Sequence, residues 1–494
     1  MTPSFLWYDL ETYGRDPRRT RIAQFAAIRT NSELEVIGDP YSFYVQPALD
    51  LLPSPTACLI TGLSPLDLRQ RGIIEAHAMQ RIAAAFAQGC TCGVGWNSLR
   101  FDDEFLRFGF YRNFIDPYRR EFDQGNSRWD LMDYARLAYA MRPAGIEWPL
   151  REDGAPSFRL EHLAAANGVG HTAAHDALSD VEATLGLARR FKQAQPKLWN
   201  YHLGFRNKAR ARELLDPFQQ RPVLHISGRF PAERGCAAIV LPLIEHPTSR
   251  NQIICCDLQD APDGWISLPV DELQDRLFAP RDSLPEGEAR VPLKAVHINR
   301  CPALIDLEHV SDEELHRLGI DRVACQKHAA QLLIEPGLLE RCRRLFSSTR
   351  GPAHSPNQTD VDQALYNSFI DRRDVRTHAA IQLADPNDLH TFAGRLKDPR
   401  GEELLFRYRA RNWPESLEPA EHDRWNSYVE ARLSFDSDLS EYNFLSFEQE
   451  RVSLQHASIC EAQHPLLADL RIWSDHVHQL ANQRHSNVHL LVGQ

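Results

Sequence analysis

The chain has 494 residues, too many for one hydrophobic core, and about three domains follow from that length. A hydrophobic fraction of 43% and a charged fraction of 25% are those of an ordinary globular protein. No apolar run approaches the ~20 residues that span a bilayer. A net charge of −11 argues against a surface that is basic throughout and binds nucleic acid everywhere, and leaves room for a local basic channel.

The N-terminus lacks a basic segment followed by an apolar one, so no signal peptide is expected. Ten cysteines are scattered without a Cys-x-x-Cys pair, and Cys90/Cys92 and Cys255/Cys256 have the wrong spacing for zinc. Reduced thiols in a cytoplasmic protein are the expectation.

In chain order, residues 5–10 form a short apolar run that predicts a buried strand. Residues 23–29 and 41–45 are rich in aromatic and branched side chains, with a Gly-Asp-Pro turn at 38–40 between them. Residues 76–87 have helical spacing, 91–96 predict a strand, and 131–141 and 181–191 predict helices, the last ending near Pro196. Strands followed by alternating helices and a strand predict an α/β domain over 3–195, a mixed sheet flanked by helices.

Residues 201–215 read as one helix carrying Arg206, Lys208, Arg210 and Arg212, a cluster that either faces a ligand or is a solvated face. Strand-like runs at 222–227, 237–241 and 252–257, with a fourth candidate at 291–298, predict a small β-barrel or sandwich. Helical spacing returns over 311–346, giving a second domain over 196–349. The Pro- and Gly-containing stretch 349–358 reads as a linker. Helices at 361–370, 404–412, 418–433 and 466–481 then predict an all-α domain over 352–482.

The chemistry lies in the acids. On a strand, side chains alternate faces, so Asp9 and Glu11 point the same way and can share one metal position. Magnesium is a hard cation that takes oxygen ligands. Taken singly, an Asp-x-Glu is a solvated strand end, and Asp102, opening an apparent helix, is an N-cap. Asp102 also follows a strand, at the sheet edge where α/β sites gather. His175 and Asp180 are five apart and would not share a helix face, which places Asp180 in the first turns of a helix and His175 on the loop leading in.

Asp9-x-Glu11, then Asp102, then His175-x-x-x-x-Asp180 resembles the DEDDh branch of the DnaQ-like exonuclease superfamily. The segments QFAAIRT (24–30), LITG (59–62), RWDL (128–131), PSFRLEHL (156–163) and AHDA (174–177) resemble the bacterial exodeoxyribonuclease I family, as do HINRCP (297–302) and YRARN (408–412). The resemblance runs from Phe5 to about Asp475.

It implies a DnaQ-like (ribonuclease-H-like) exonuclease domain, a Src-homology-type barrel and a helical C-terminal domain. It implies 3′→5′ digestion of single-stranded DNA to 5′-mononucleotides, with a role in DNA repair and recombination. Asp9, Glu11, Asp102 and Asp180 would hold two magnesium ions, manganese being an alternative, and His175 would be the general base. Single-stranded DNA and the acidic C-terminal tail of single-stranded-DNA-binding protein are the implied partners of a monomer. Arg407, Arg409 and Arg411 are too generic to assign to that tail.

Single strands are held by aromatic stacking and a basic track. Tyr118 and Phe122, in a polar stretch, are stacking candidates, whereas Phe101, Phe105 and Phe108 have core spacing. Arg107, Arg136 and Arg159 fall near the carboxylate motifs, and the resemblance implies them as DNA contacts, Arg159 foremost, although many arginines are solvated or pair with nearby acids. A DEDDh exoribonuclease, a proofreading exonuclease and a catalytically silent DNA-binding scaffold are the alternatives.

Overall fold

A computed structural model describes residues 2–170, 175–279, 284, 288, 290–347, 359–457 and 463–482. The linker expected at 349–358 lies outside the described residues.

The first sheet has the order β3-β2-β1-β4-β5, built from β1 (Ser4–Thr12), β2 (Ile22–Thr30), β3 (Tyr41–Tyr44), β4 (Thr91–Gly95) and β5 (Ser127–Asp130). β1 pairs antiparallel with β2 and parallel with β4, and β4 pairs parallel with β5, so the sheet is mixed as expected. Alternation along β1 sorts its side chains. Phe5 and Trp7 enter the core shared with the helix Ala177–Ala194. Leu6, Tyr8 and Leu10 enter the opposite core, under the helices Glu75–Phe86 and Asp102–Arg112. Asp9 and Glu11 continue the Phe5/Trp7 face beyond its apolar part.

The second sheet has the order β10-β6-β7-β8-β9 and is antiparallel throughout, from β6 (Val223–Ile226), β7 (Ala237–Glu245), β8 (Gln252–Asp257), β9 (Leu293–His297) and β10 (Ala303–Asp306). The helix expected over 201–215 is broken. Pro196–Leu203 and Lys208–Leu214 are separate, and the Asn207 side chain caps the second by accepting from the Ala209 N–H. The basic cluster therefore shares no single face. Arg210 lies over the Tyr201 and Phe205 rings, and Arg212 pairs with Glu245.

After residue 359 no strand occurs among the described residues. The helix expected over 361–370 is only a 3-10 turn, Val361–Tyr366. Gly401–Asn412, Pro419–Leu433 and His464–Asn482 form the helical domain's framework. Two short helices, Pro55–Thr61 and Pro65–Arg71, each begin with a serine cap and a proline, and carry this domain on the first. Cys58 shares a core cluster with Phe447, Leu470 and Trp473.

Buried charges fasten the same junction. Arg411 donates to Asp50 at 2.9 Å and to Asp362, while Arg407 reaches Asp362 at 3.1 Å and Arg432 donates to the Asp50 carbonyl. Arg409 pairs with Glu421 at 2.7 Å. The side chains of Arg407, Arg409 and Arg411 are all buried in internal ion pairs, so these three do not form an exposed basic pocket. Removing one partner of such a pair strands the others without water. Asp362→Ala is expected to destabilise the protein by roughly 3–5 kcal/mol, read as a lower melting temperature and as proteolytic release of the C-terminal domain. An unchanged melting temperature would show that the pairing contributes nothing net.

Candidate active site

Asp9 and Glu11 project from β1 toward the N-terminal turn of Ala177–Ala194, where Asp180 sits. One carboxylate oxygen from each of Asp9, Glu11 and Asp180 lies within 4.8 Å of the other two. Asp9 and Glu11 thus share the strand face that their spacing predicts, and Asp102, the fourth acid that the resemblance implies, is not among the three that meet this closely. The helix is capped by Asp176, whose side chain accepts from the Ser179 N–H and from Gln24 Nε2 at 3.0 Å.

Asp102 is not the N-cap that its local context suggests. Phe101 occupies that position without a side-chain cap, and Asp102 is the first helical residue, buried. Its carboxylate instead lies near its own N–H and that of Leu10, midway between Asp9 and Glu11 on β1, and both favour its ionised form. The loop that delivers it is shaped by Asp130, which accepts from the Asn97 and Leu99 N–H groups at 3.1 and 3.3 Å. Asn97 itself has φ +65°, a conformation asparagine tolerates better than most residues. His175 lies two residues before the helix, exposed, with φ +66°. That is the loop position expected of it.

The electrostatics agree with a cation site. Burial raises the Asp9 pKa well above the carboxylate range, reinforced by Asp102, Glu11, Asp180 and Asp176. Glu11 is pushed up to about 9 by burial and then by Asp180, Asp102 and Asp176. Asp102 is raised to about 8 by burial, against its backbone hydrogen bonds. Like charges this close cannot all ionise without a compensating cation. Oxygen donors, partial burial and mutual repulsion together fit divalent ions. Asp9, Glu11, Asp102 and Asp180 are the residues that would hold them.

Folded-state pKa values raised above the unfolded ones give stability that is full below about pH 4 and lost as pH rises toward the folded values of about 8 to 9. Divalent ions remove that loss by binding the ionised form. The rise in melting temperature on adding magnesium is therefore expected to be larger at pH 8.5 than at pH 6. A rise independent of pH would mean that these acids do not hold the ion.

The expected DNA contacts divide by environment. Arg159 and Phe122 are exposed, Phe122 at 66%. Tyr118 is half-buried beneath the Arg107 guanidinium. Arg107 is buried, donating to Glu121 at 2.8 Å and Glu104 at 2.7 Å, so its charge is matched within the protein. Arg136 pairs with Asp133 at 2.9 Å. Phe105 and Phe108 are core residues, as their spacing predicted, and Phe101 packs against that core. Asp176, Asp130 and Asp103 carry parts of the site that the sequence reading did not pick out. The signal for the first two was an aspartate directly before a helix.

The sequence family described as Exonuclease matches residues 6–188, Exonuclease I SH3-like domain matches 206–348, and Exonuclease I C-terminal domain matches 359–477. Exodeoxyribonuclease I of Escherichia coli K12 is 44% identical over 422 residues, covering 85% of this chain and 88% of that one. The chain belongs to the exodeoxyribonuclease I family. The Haemophilus influenzae family member is 40% identical, covering 87% and 90%. Among solved structures, exonuclease I from Methylocaldum szegediense superposes with a TM-score of 0.91 at 40% identity, over 96% of this chain and 99% of that one. E. coli exonuclease I in complex with a dA16 oligonucleotide gives 0.90 at 39% identity, over 96% and 100%. A zinc-bound form of the E. coli enzyme with single-stranded DNA gives 0.91 at 40%, over 97% and 100%. The family assignment makes this chain a hydrolase of the nuclease class with an exodeoxyribonuclease I architecture: mixed-sheet exonuclease domain, SH3-like domain and helical C-terminal domain. Among the described residues no helix is long and apolar enough to cross a membrane.

Proposed function

We propose that this protein is a magnesium-dependent exonuclease that degrades single-stranded DNA from the 3′ end and releases 5′-mononucleotides. The observation that carries the reading is the meeting of Asp9, Glu11 and Asp180 within 4.8 Å, beside buried Asp102 and the loop bearing His175. Bound divalent ions supply charge neutralisation and an activated water for phosphodiester hydrolysis. The protein's own part is to seat those ions, to take the proton from the attacking water at the His175 imidazole, and to aim the strand. Imidazole suits the proton step because its ordinary titration falls near neutral pH. Arg159 and Phe122, both exposed, supply a phosphate partner and a stacking surface, and Tyr118 offers a second ring edge.

Family relatives solved with single-stranded oligonucleotides support the substrate class. The carboxylates do not distinguish deoxyribose from ribose, because that choice rests on contacts at the 2′ position. Digestion of 5′-labelled single-stranded DNA, duplex DNA and matched RNA, with and without magnesium, tests the reading. Magnesium-dependent shortening of the DNA single strand alone is expected. Equal digestion of RNA would favour an exoribonuclease, and no release from any strand would leave only a binding scaffold. Action on DNA in the cytoplasm as a monomer, in repair and recombination, and recruitment through the acidic tail of single-stranded-DNA-binding protein belong to the same proposal. Titration with a tail peptide tests the last of these.

A further inference from the structure

Asp103 follows Asp102 in the chain and is wholly buried on the opposite side of the sheet from the acidic pocket. Three donors converge on its carboxylate. Tyr8 Oη and Arg120 Nη2 each lie 2.5 Å from Oδ1, and Arg128 Nη1 lies 2.5 Å from Oδ2. Tyr8 precedes Asp9 on β1 and faces away from it, Arg120 comes from the turn after the Asp102–Arg112 helix, and Arg128 from β5. All three donors are buried.

We propose that Asp103 is a positioning residue for the metal-holding carboxylates, fixing β1 to the start of the Asp102–Arg112 helix through Tyr8, Arg120 and Arg128. This inference rests on the nuclease reading above. The geometry gives the reason. Asp9 and Asp102 arrive on separate elements, and their oxygens must be held to within roughly 0.5 Å of the geometry that shares ions. Tyr8 and Asp9 leave β1 on opposite faces, so an anchored Tyr8 hydroxyl stops the strand from rolling about its axis. Such a roll would swing Asp9 and Glu11 together. On the other element, Asp102 is one residue, ~3.8 Å between Cα atoms, from the clamped Asp103.

The clamp continues outward. Arg128 reaches Glu121 at 2.9 Å, and Glu121 takes Arg107 at 2.8 Å. Arg107 pairs with Glu104, which also accepts from Tyr366 of the C-terminal domain and from Arg300 of the SH3-like domain at 3.5 Å. Asp103 thus sits where the metal pocket and both accessory domains are tied to one helix terminus. A burial this deep is tolerable for a carboxylate because the arginines match it. Burial opposes ionisation, but Arg120, Arg128 and Arg107 with the Tyr8 hydroxyl hold its pKa well below the usual range.

The test uses the full-length protein with Asp103→Asn and Tyr8→Phe. Manganese affinity is measured calorimetrically without DNA, beside kcat, KM for a single-stranded oligonucleotide and melting temperature. Outer-shell partners of metal ligands typically contribute 10–100-fold. Manganese binding is expected to weaken by about tenfold or more, with kcat falling in step and KM unchanged. A lower melting temperature with wild-type manganese affinity and kcat would overturn the proposal and leave Asp103 a purely structural ion pair. Should Asp103→Asn fail to fold, Tyr8→Phe decides, since it deletes one hydroxyl and no charge. A wild-type protein that binds manganese but releases no nucleotide would instead overturn the nuclease reading, and the calorimetric comparison would still judge the clamp.

Discussion

Replacing Asp9 by Ala is expected to abolish magnesium-dependent release of nucleotides, a fall of at least about 10³-fold or about 4 kcal/mol of barrier. The magnitude follows from rank. Outer-shell partners of a metal typically contribute about 10–100-fold, and Asp9 is an inner carboxylate with its oxygen within 4.8 Å of those of both Glu11 and Asp180. The neighbouring acids are already engaged, Glu11 and Asp180 within the cluster and Asp176 as the helix cap. The same substitution removes a charge that its neighbours repel. In excess EDTA the Asp9→Ala protein is therefore expected to melt no lower than wild type, and the stabilisation by magnesium is expected to shrink. Inactivity with undiminished stability separates loss of chemistry from loss of fold. Cleavage that persists in Asp9→Ala, or in wild type with excess EDTA, would contradict the metal assignment.

His175→Ala is expected to lower turnover by about 10²-fold or more, the usual scale for losing a general base, while single-stranded DNA still binds. The residue is exposed, so truncation leaves no cavity, but its φ of +66° is a conformation that alanine adopts at a cost. His175→Asn therefore belongs beside it, because asparagine accepts that backbone and cannot serve as a comparable base. Both variants are expected to lose kcat, with the oligonucleotide Kd unchanged. If His175→Asn keeps wild-type turnover and only His175→Ala is slow, the residue shapes a turn and moves no proton.

These effects were partly legible in residue order. The two-residue spacing of Asp9 and Glu11 fixes a shared face on any strand, and the apolar run before them makes the strand. The five-residue spacing of His175 and Asp180 rules out one helical face, and the structure has the histidine on the entering loop. Other features left little trace. β5 and β10 are four residues each, and β5 reads Ser-Arg-Trp-Asp, too short and too polar for alternation to show. They are strands because β4 and β6 offer unpaired edges. The short helices at residues 55 and 65 did carry a signal, a serine cap followed by proline, that apolar periodicity overlooks.

Charge was the least legible property. Arg107, Arg407 and Arg411 look like exposed cations in the sequence, and each is buried against acids that are distant along the chain, 14, 47 and 361 residues away in the bonds to Glu121, Asp360 and Asp50. Asp102 behaves the same way, reading as a local helix cap while its carboxylate turns to Leu10. Sequence by itself determined what local geometry controls: the strand that carries paired acids, the helix that follows the histidine, and the ordering of a mixed-sheet region, a second β region and a helical region. Tertiary structure alone decided which charges meet. Backbone periodicity acts between neighbours along the chain, whereas an ion pair or a metal pocket depends on through-space distance and on exclusion of water, and both are set only when separate segments pack.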